Sequence, residues 1–427
     1  MGITILLGSL IVLVLIGVPL CFSMGASGIL YFLLTKPSLI AILPQRVWAG
    51  SYSFVLTALP MFILAGELMN HGGITKRIIN FCLYLVKPFH GGLAEVNVVS
   101  SMVFGGISGS SVADTSALGS ILIPEMQKQG YRKDFSAGVT VASSTMGMII
   151  PPSIPMLMYA MISNDSIGAL FLAGAIPGLL IGITQVFVVH FIAKKDGYVN
   201  HNEKLFVLNV FLKEMRDGFF AIAMPLIIVL SVSFGVATAT ESAGIAVLYA
   251  FILGKFVYKE LDFKDVWVAL KTTVRFSSSV LYIVGFSTIY TWILSVEHVP
   301  QNIAAFLLGL DVPVFVIFII IDIIILLVGA FIDVAPAIYL LGPVLIPVMG
   351  SLGMSSLQLG ALLIVGLAIG LVTPPVGMCL NAATKICDMP IVDIAKQAMP
   401  FISCNLFVMV LITFIPAVST WLPGLMF

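Results

Sequence analysis

Gly119-Ser-Ile-Leu-Ile-Pro124-Glu-Met126 and Gly342-Pro-Val-Leu-Ile-Pro347-Val-Met349 stand 223 residues apart and align without a gap. The same offset carries Gly130 onto Gly353, Gly147 onto Gly370, Pro151-Pro152 onto Pro374-Pro375, Ala160 onto Ala383 and Asp165 onto Asp388. Helix-forming composition explains some of the Leu and Ile matches, but it does not hold a register over that distance. The chain contains a duplicated unit.

Charge says how the copies are oriented. Gln127–Asp134 carries Lys128, Arg132 and Lys133, whereas the equivalent Gly350–Leu357 carries no basic residue. Basic loops stay on the cytoplasmic side, so the two loops are expected on opposite sides of a membrane. An inverted-topology repeat places a binding site near the midplane between the copies. Channels and some enzymes are duplicated too, so the repeat alone does not choose a function.

That a membrane is the solvent follows from composition. The chain is 60% hydrophobic and 9% charged over 427 residues, with a mean hydropathy of +1.14, which excludes an ordinary soluble domain. Apolar runs such as Ile3–Leu20, Leu170–Ile192, Phe219–Val236, Val314–Ile332 and Phe401–Leu422 each reach the roughly 17 residues needed to cross a hydrocarbon core, and roughly ten to thirteen embedded segments are expected. The first run has no Lys or Arg ahead of it and no clean small-residue cleavage site, so it reads as a retained helix. Zero formal charge gives no reason to expect nucleic acid as a partner. The five cysteines have no metal-type spacing, no GxxxxGK[ST] loop for ATP occurs, and none of the five histidines forms a metal spacing. The polar interval 194–217 reads as a cytoplasmic connector, with 205–215 either an amphipathic surface helix or a solvated loop.

Lys87 and the Lys128–Lys133 loop flank about forty residues centred on Gly105-Gly-Ile-Ser-Gly-Ser-Ser-Val-Ala-Asp-Thr-Ser116. Basic flanks at both ends imply a re-entrant hairpin with its Gly/Ser tip inside the membrane. The second copy repeats the plan, with a tip at Gly329-Ala-Phe-Ile-Asp-Val-Ala-Pro336. A segment interrupted by Pro-Pro follows each hairpin, at Pro151-Pro152 and Pro374-Pro375. Proline removes a backbone donor and clashes one turn back, so both helices must unwind, freeing carbonyl oxygens that suit a hard monovalent cation. The half-helix N-termini beyond the breaks, at Ser153–Met158 and Val376–Leu380, present partial positive charge to an anion. A pair of structural kinks is the plainer reading of either break taken alone.

At these residues the sequence resembles the large membrane subunit of TRAP transporters, the tripartite ATP-independent periplasmic carriers. The likeness spans nearly the whole chain and rests on Gly17-Val-Pro-Leu, Leu59-Pro-Met-Phe, Ala65-Gly-Glu67, Gly105-Gly-Ile-Ser-Gly-Ser, Pro151-Pro152, Thr238-Ala-Thr-Glu241, Gly342-Pro-Val-Leu-Ile-Pro347 and Gly370-Leu-Val-Thr-Pro-Pro-Val-Gly377. Ala239 departs from the proline expected there. The resemblance implies an all-α polytopic inner-membrane protein of bacteria, sodium coupling without ATP, and elevator motion of a transport domain against a scaffold. It also implies two partners: a small four-helix membrane subunit and a periplasmic substrate-binding protein. The implied cargo is an organic acid, with sialic acid and C4-dicarboxylates as alternatives and the sialic acid branch the closer.

The organisation expected on this basis is scaffold helices over 1–90, a first transport repeat over 91–165, scaffold helices with the connector over 166–312, a second transport repeat over 313–388 and a C-terminal helix over 389–427. Sodium is expected at Gly106, Ser108, Ser110, Thr145, Gly147, Gly329, Asp333, Val372 and Thr373, and substrate at Ser111, Pro152, Asp333, Pro374 and Asn381. An ionisable residue at membrane depth is functional by default, so Asp333 is read as a ligand, with helix capping as its alternative. Asp114 stays open between cap and ligand. Asp322 is expected to face protein rather than lipid, Asp165 and Asp388 to cap the helices after them, Glu241 to cap, and Glu67 to bond between helices. Two other classes compete. Gly106-Ile-Ser108-Gly109 formally matches the GxSG of intramembrane serine proteases, with His190 the nearest candidate base. A passive channel would use the tips, but no ring of charge or filter sequence supports it.

Overall fold

In hydrocarbon every backbone polar group must find a partner within the protein, and long apolar runs achieve this as helices. The computed structural model describes residues 2–52, 54–86, 92–198, 208–309 and 312–427, and among them it is helical with no strand. Among the described residues six helices are long and apolar enough to span a membrane: Ile167–Lys195, Ala239–Val257, Phe263–Val296, Val314–Phe331, Val334–Ser351 and Ile391–Phe414. Gly2–Leu15, Leu20–Thr35, Gly92–Ser108, Ile154–Ser163, Gly218–Ser233 and Ser356–Gly370 are apolar but shorter. Prolines and tight tips divide the apolar runs, so fewer full-length spans emerge than embedded segments. Val314–Phe331 leaves Phe315, Ile319, Ile320, Ile323, Ile324 and Leu327 exposed, a surface made for lipid rather than water.

The duplication is visible in the geometry. Ser111–Lys128 and Val334–Ser351 start and end 223 residues apart, and each is followed by a left-handed glycine, Gly130 at φ 90° and Gly353 at φ 89°. Their N-caps, Ser110 and Asp333, are equivalent too. Gly92–Ser108 and Ser111–Lys128 form an antiparallel hairpin, since Asn97 Nδ2, near the start of the first arm, lies 3.7 Å from Met126 Sδ, near the end of the second. Only Gly109 and Ser110 separate the arms, with Gly109 at φ 61°. The second tip is equally short, Ile332 and Asp333 between Val314–Phe331 and Val334–Ser351.

Both Pro-Pro segments interrupt their helices. The first runs as Lys133–Ser144, a tight 3-10 turn Thr145–Met148, and Ile154–Ser163. The second runs as Ser356–Gly370 and Met378–Cys387. These two broken segments lie antiparallel. Ser356 Oγ donates to Asp165 Oδ2 at 2.6 Å and Tyr159 Oη to the Ser356 carbonyl at 2.9 Å, joining the end of one segment to the start of the other. At the far end, Arg132, Lys133 and Asp134 share a cleft with Met389, Asp393 and Lys396. The copies also exchange contacts across their returning arms: Ile386 Cδ1 sits 3.2 Å from where a Cβ on Gly119 would stand, and Ile162 Cδ1 3.3 Å from the same point on Gly342.

Three local expectations change. Ser166, not Asp165, caps Ile167–Lys195, accepting from Ala169 N at 3.4 Å; Asp165 lies one residue too early and turns to Ser356 instead. Asp388 closes the helix before it, at φ 49°, and Pro390 opens the next. Residues 389–427 hold two helices, Ile391–Phe414 and Ala417–Met426, because the chain breaks at Ile415-Pro416. Glu241 does take part in a capping box with Thr238. Of the connector, 208–215 open the single helix Leu208–Ser233, while 199–207, like Lys87 and His90, lie outside the described residues.

Candidate functional site

The first tip is built round a buried carboxylate. Asp114, one turn into the returning arm, is fully buried. Its Oδ1 accepts a hydrogen bond from Ser108 Oγ, and among the described residues its Oδ2 has no hydrogen-bond partner. Ser110 caps the arm, its Oγ accepting from Ala113 N at 3.4 Å, so the cap position is filled and Asp114 is not the cap. Ser110 N donates to Ser108 Oγ at 3.2 Å, and Ser111 Oγ donates to the Thr145 carbonyl at 3.4 Å. The tip and the first break are thus one cluster of oxygens.

Close approach of backbone holds that cluster together. A Cβ on Gly147 would lie 2.1 Å from Asp114 Oδ2, and one on Gly106 would lie 2.9 Å from the Pro151 carbonyl oxygen. Buried amides then fix Thr145 from outside. Asn405 Nδ2 donates to Thr145 Oγ1 at 2.9 Å, and Gln185 Nε2 donates to Asn405 Oδ1 at 2.8 Å and to the Ala142 carbonyl at 3.2 Å. Asn405 and Gln185 were legible as polar groups inside apolar runs, where an amide is costly unless bonded. Only the tertiary structure shows that they converge on Thr145.

The second tip and break are packed together on the same plan, with different residues in contact. Gly329 and Gly370 touch, such that a Cβ on Gly370 would stand 2.2 Å from the Gly329 carbonyl carbon. The Val376 N–H donates to the Ala330 carbonyl at 3.3 Å, stitching the second break to the second hairpin. Asp333 sits exposed at the tip, one carboxylate oxygen accepting from Val334 N at 2.8 Å. It therefore caps its arm and still presents oxygen to the tip. Val372 is buried, and Thr373 Oγ1 donates to the Ile369 carbonyl at 2.7 Å. Asn381 is exposed, with Nδ2 donating to the Val376 carbonyl at 2.6 Å, beside an exposed Pro374. Cys379, at the start of the helix beyond the second break, is fully buried.

Of the residues expected to meet substrate, Pro152 borders a pocket with Ser108, Gly109, Ser153, Ile154 and Phe62, of about 10 Å³, room for about one water. Ser111, Asp333, Pro374 and Asn381 do not line it. An unpartnered carboxylate oxygen among hydroxyl and carbonyl oxygens fits a small hard cation better than a neutral ligand. The serine-protease alternative needs a base at Ser108, but that hydroxyl bonds Asp114, while His190 Nδ1 is 2.9 Å from Glu95 Oε1. Glu95 precedes Ser108 by thirteen helical residues, about 20 Å along the arm.

Comparison with known proteins agrees with this architecture. The chain matches the family described as "Tripartite ATP-independent periplasmic transporter, DctM component" over residues 7–418. It is 36% identical over 414 residues to the sialic acid TRAP transporter large permease protein SiaM of Vibrio cholerae, covering 96% of this chain and 95% of that one. It is 32% identical over 441 residues to the C4-dicarboxylate TRAP transporter large permease protein DctM of Rhodobacter capsulatus, covering 100% of both. Among solved structures, Neisseria gonorrhoeae MtrF, presented as one of a class of antimetabolite efflux pumps, shares the fold with a TM-score of 0.62 at 15% identity, covering 89% of this chain and 85% of that one. This chain is a multi-pass membrane protein belonging to the tripartite ATP-independent periplasmic transporter family, as a DctM component.

Proposed function

We propose that the chain is the sodium-coupled transport subunit of an importer for a small organic acid, working in the bacterial inner membrane with a small four-helix membrane subunit and a periplasmic substrate-binding protein. The observation that carries the coupling is Asp114 Oδ2, buried without a partner beside the Thr145–Gly147 turn. A bound monovalent cation would satisfy that oxygen, which otherwise costs on the order of 1–3 kcal/mol or more in desolvation. Ser108, Ser110, Gly106 and Gly147 complete the first ion site, and Gly329, Asp333, Val372 and Thr373 form the second.

In this reading the hairpins are re-entrant and the copies inverted across the bilayer. Hairpins and broken segments move as one elevator body, carrying the acid near Ser111, Pro152, Pro374 and Asn381. Sodium offsets the cargo's negative charge and braces the tips, so an empty or fully loaded body crosses more easily than a half-loaded one. The relative SiaM favours a sialic acid as cargo, and a C4-dicarboxylate, as in the name of the second relative, is the alternative. Reconstitution with both partners tests this, comparing uptake of each acid with and without an inward sodium gradient. Downhill conductance of ions without either partner would favour a channel instead.

A further inference from the structure

A second cavity, of about 420 Å³, opens between the scaffold helices Ile42–Ser51 and Phe263–Val296 on one side and Met161, Ile162 and Tyr339 on the other. That volume lies within the range for a small organic ligand, roughly 300–1,000 Å³. Arg46 lines it, with the guanidinium carbon 5.5 Å from the centroid of the Trp292 ring. Among the described residues Arg46 has no ion-pair partner. Its own helix is held in place, since Thr288 Oγ1 donates to the Arg46 carbonyl at 3.0 Å. On the opposite wall Tyr339 is buried, and among the described residues its hydroxyl donates only to Met161 Sδ, at 3.5 Å, a weak acceptor. An uncommitted guanidinium and a weakly committed phenol thus face one cavity, and Thr291 lies on its wall.

The cavity has a side as well as a chemistry. Met161 and Ile162 stand at the far end of the first broken segment from Lys133, so a cytoplasmic Lys133 puts them at the outer face. Resting on the proposed import of an organic acid, we propose that this cavity is an outer vestibule that captures a carboxylate, through a charge-assisted bond from Arg46 and a hydrogen bond from Tyr339. Because Arg46 sits on a scaffold helix and Tyr339 on the returning arm of the second hairpin, an occupied vestibule bridges the two bodies and holds the acid beside the tips.

A cysteine at the wall reads occupancy without transport. Thr291→Cys in the otherwise intact chain, in nanodiscs without sodium gradient or capture protein, is treated with a membrane-impermeant maleimide in the presence of N-acetylneuraminate or succinate. The expected result is labelling slowed at least about fivefold by one of these acids, with protection shifted to about tenfold higher acid by Arg46→Gln and partly restored by Arg46→Lys. Failure to label, absence of protection by either acid, or protection that survives Arg46→Gln would overturn the vestibule. In the complete system Arg46→Gln is expected to lower uptake at sub-saturating acid about tenfold while the saturating rate stays within about twofold; an equal loss of both would mark Arg46 as structural. Protection without any sodium-driven uptake would retain the vestibule and reject the import reading.

Discussion

Asp114 and Gly147 are neighbours so close that no side chain fits between them: a Cβ on Gly147 would stand 2.1 Å from Asp114 Oδ2. The carboxylate oxygen and the backbone of the first break share one buried space, and the sodium reading rests on that contact. Gly147→Ala must displace the carboxylate or the turn. Sodium-driven uptake is expected to fall at least about tenfold, with overpacking costing about 1–3 kcal/mol of stability. Thermal unfolding of the purified variant, measured beside uptake, separates the two effects.

The second copy offers the matching experiment. Gly370→Ala pushes a methyl group into the Gly329 backbone, 2.2 Å from its carbonyl carbon, where a backbone atom cannot rotate away. The loss of stability is expected to equal or exceed that of Gly147→Ala, because a carboxylate can move and a helix cannot. A smaller loss than that of Gly147→Ala would mean that the first arm of the second hairpin and the second broken segment separate easily.

Asp333 caps its arm and is proposed to hold the ion, and two substitutions separate the cap from the proposed ligand. Asn caps a helix about as well as Asp, whereas Ala loses about 1 kcal/mol. Asp333→Asn is therefore expected to keep the thermal stability of the unsubstituted chain and to lose sodium-dependent uptake, while Asp333→Ala loses both. Normal uptake by Asp333→Asn would reduce Asp333 to a cap.

Inverted orientation of the copies has its own test. Lys133 and Ser355 stand at or next to the start of the two broken segments, which lie antiparallel. Lys133→Cys is expected to react with a membrane-impermeant thiol reagent only from the cytoplasmic side, and Ser355→Cys only from outside. Labelling of both from one side would contradict the inversion and, with it, the sidedness of the vestibule.

Much of this was written in one dimension. The 223-residue offset and the two Pro-Pro pairs lead to the paired hairpins and broken segments, because a missing N–H and a clashing ring act wherever the proline sits. Ser110 and Asp333 obey the same offset, and both cap. What could not be read was the choice among neighbours. Whether Ser166 or Asp165 caps depends on Ser356, nearly two hundred residues away. Asp114 could not be separated from a cap until Ser110 occupied that position, and its free oxygen is defined only by what surrounds it. Asn405, Gln185 and Thr145 lie on three different helical segments, and their convergence is a tertiary fact.

Sodium coupling, as proposed, depends on Asp114 holding the ion. Proteoliposomes containing the complete three-part system, given an inward sodium gradient and a sialic acid or C4-dicarboxylate, measure it in one comparison. Unsubstituted protein is expected to accumulate the acid only with sodium, and Asp114→Asn, which keeps the shape and the Ser108 contact but not the charge, is expected to lose sodium-driven accumulation at least about tenfold while remaining folded. Undiminished sodium-driven uptake by Asp114→Asn would contradict the account.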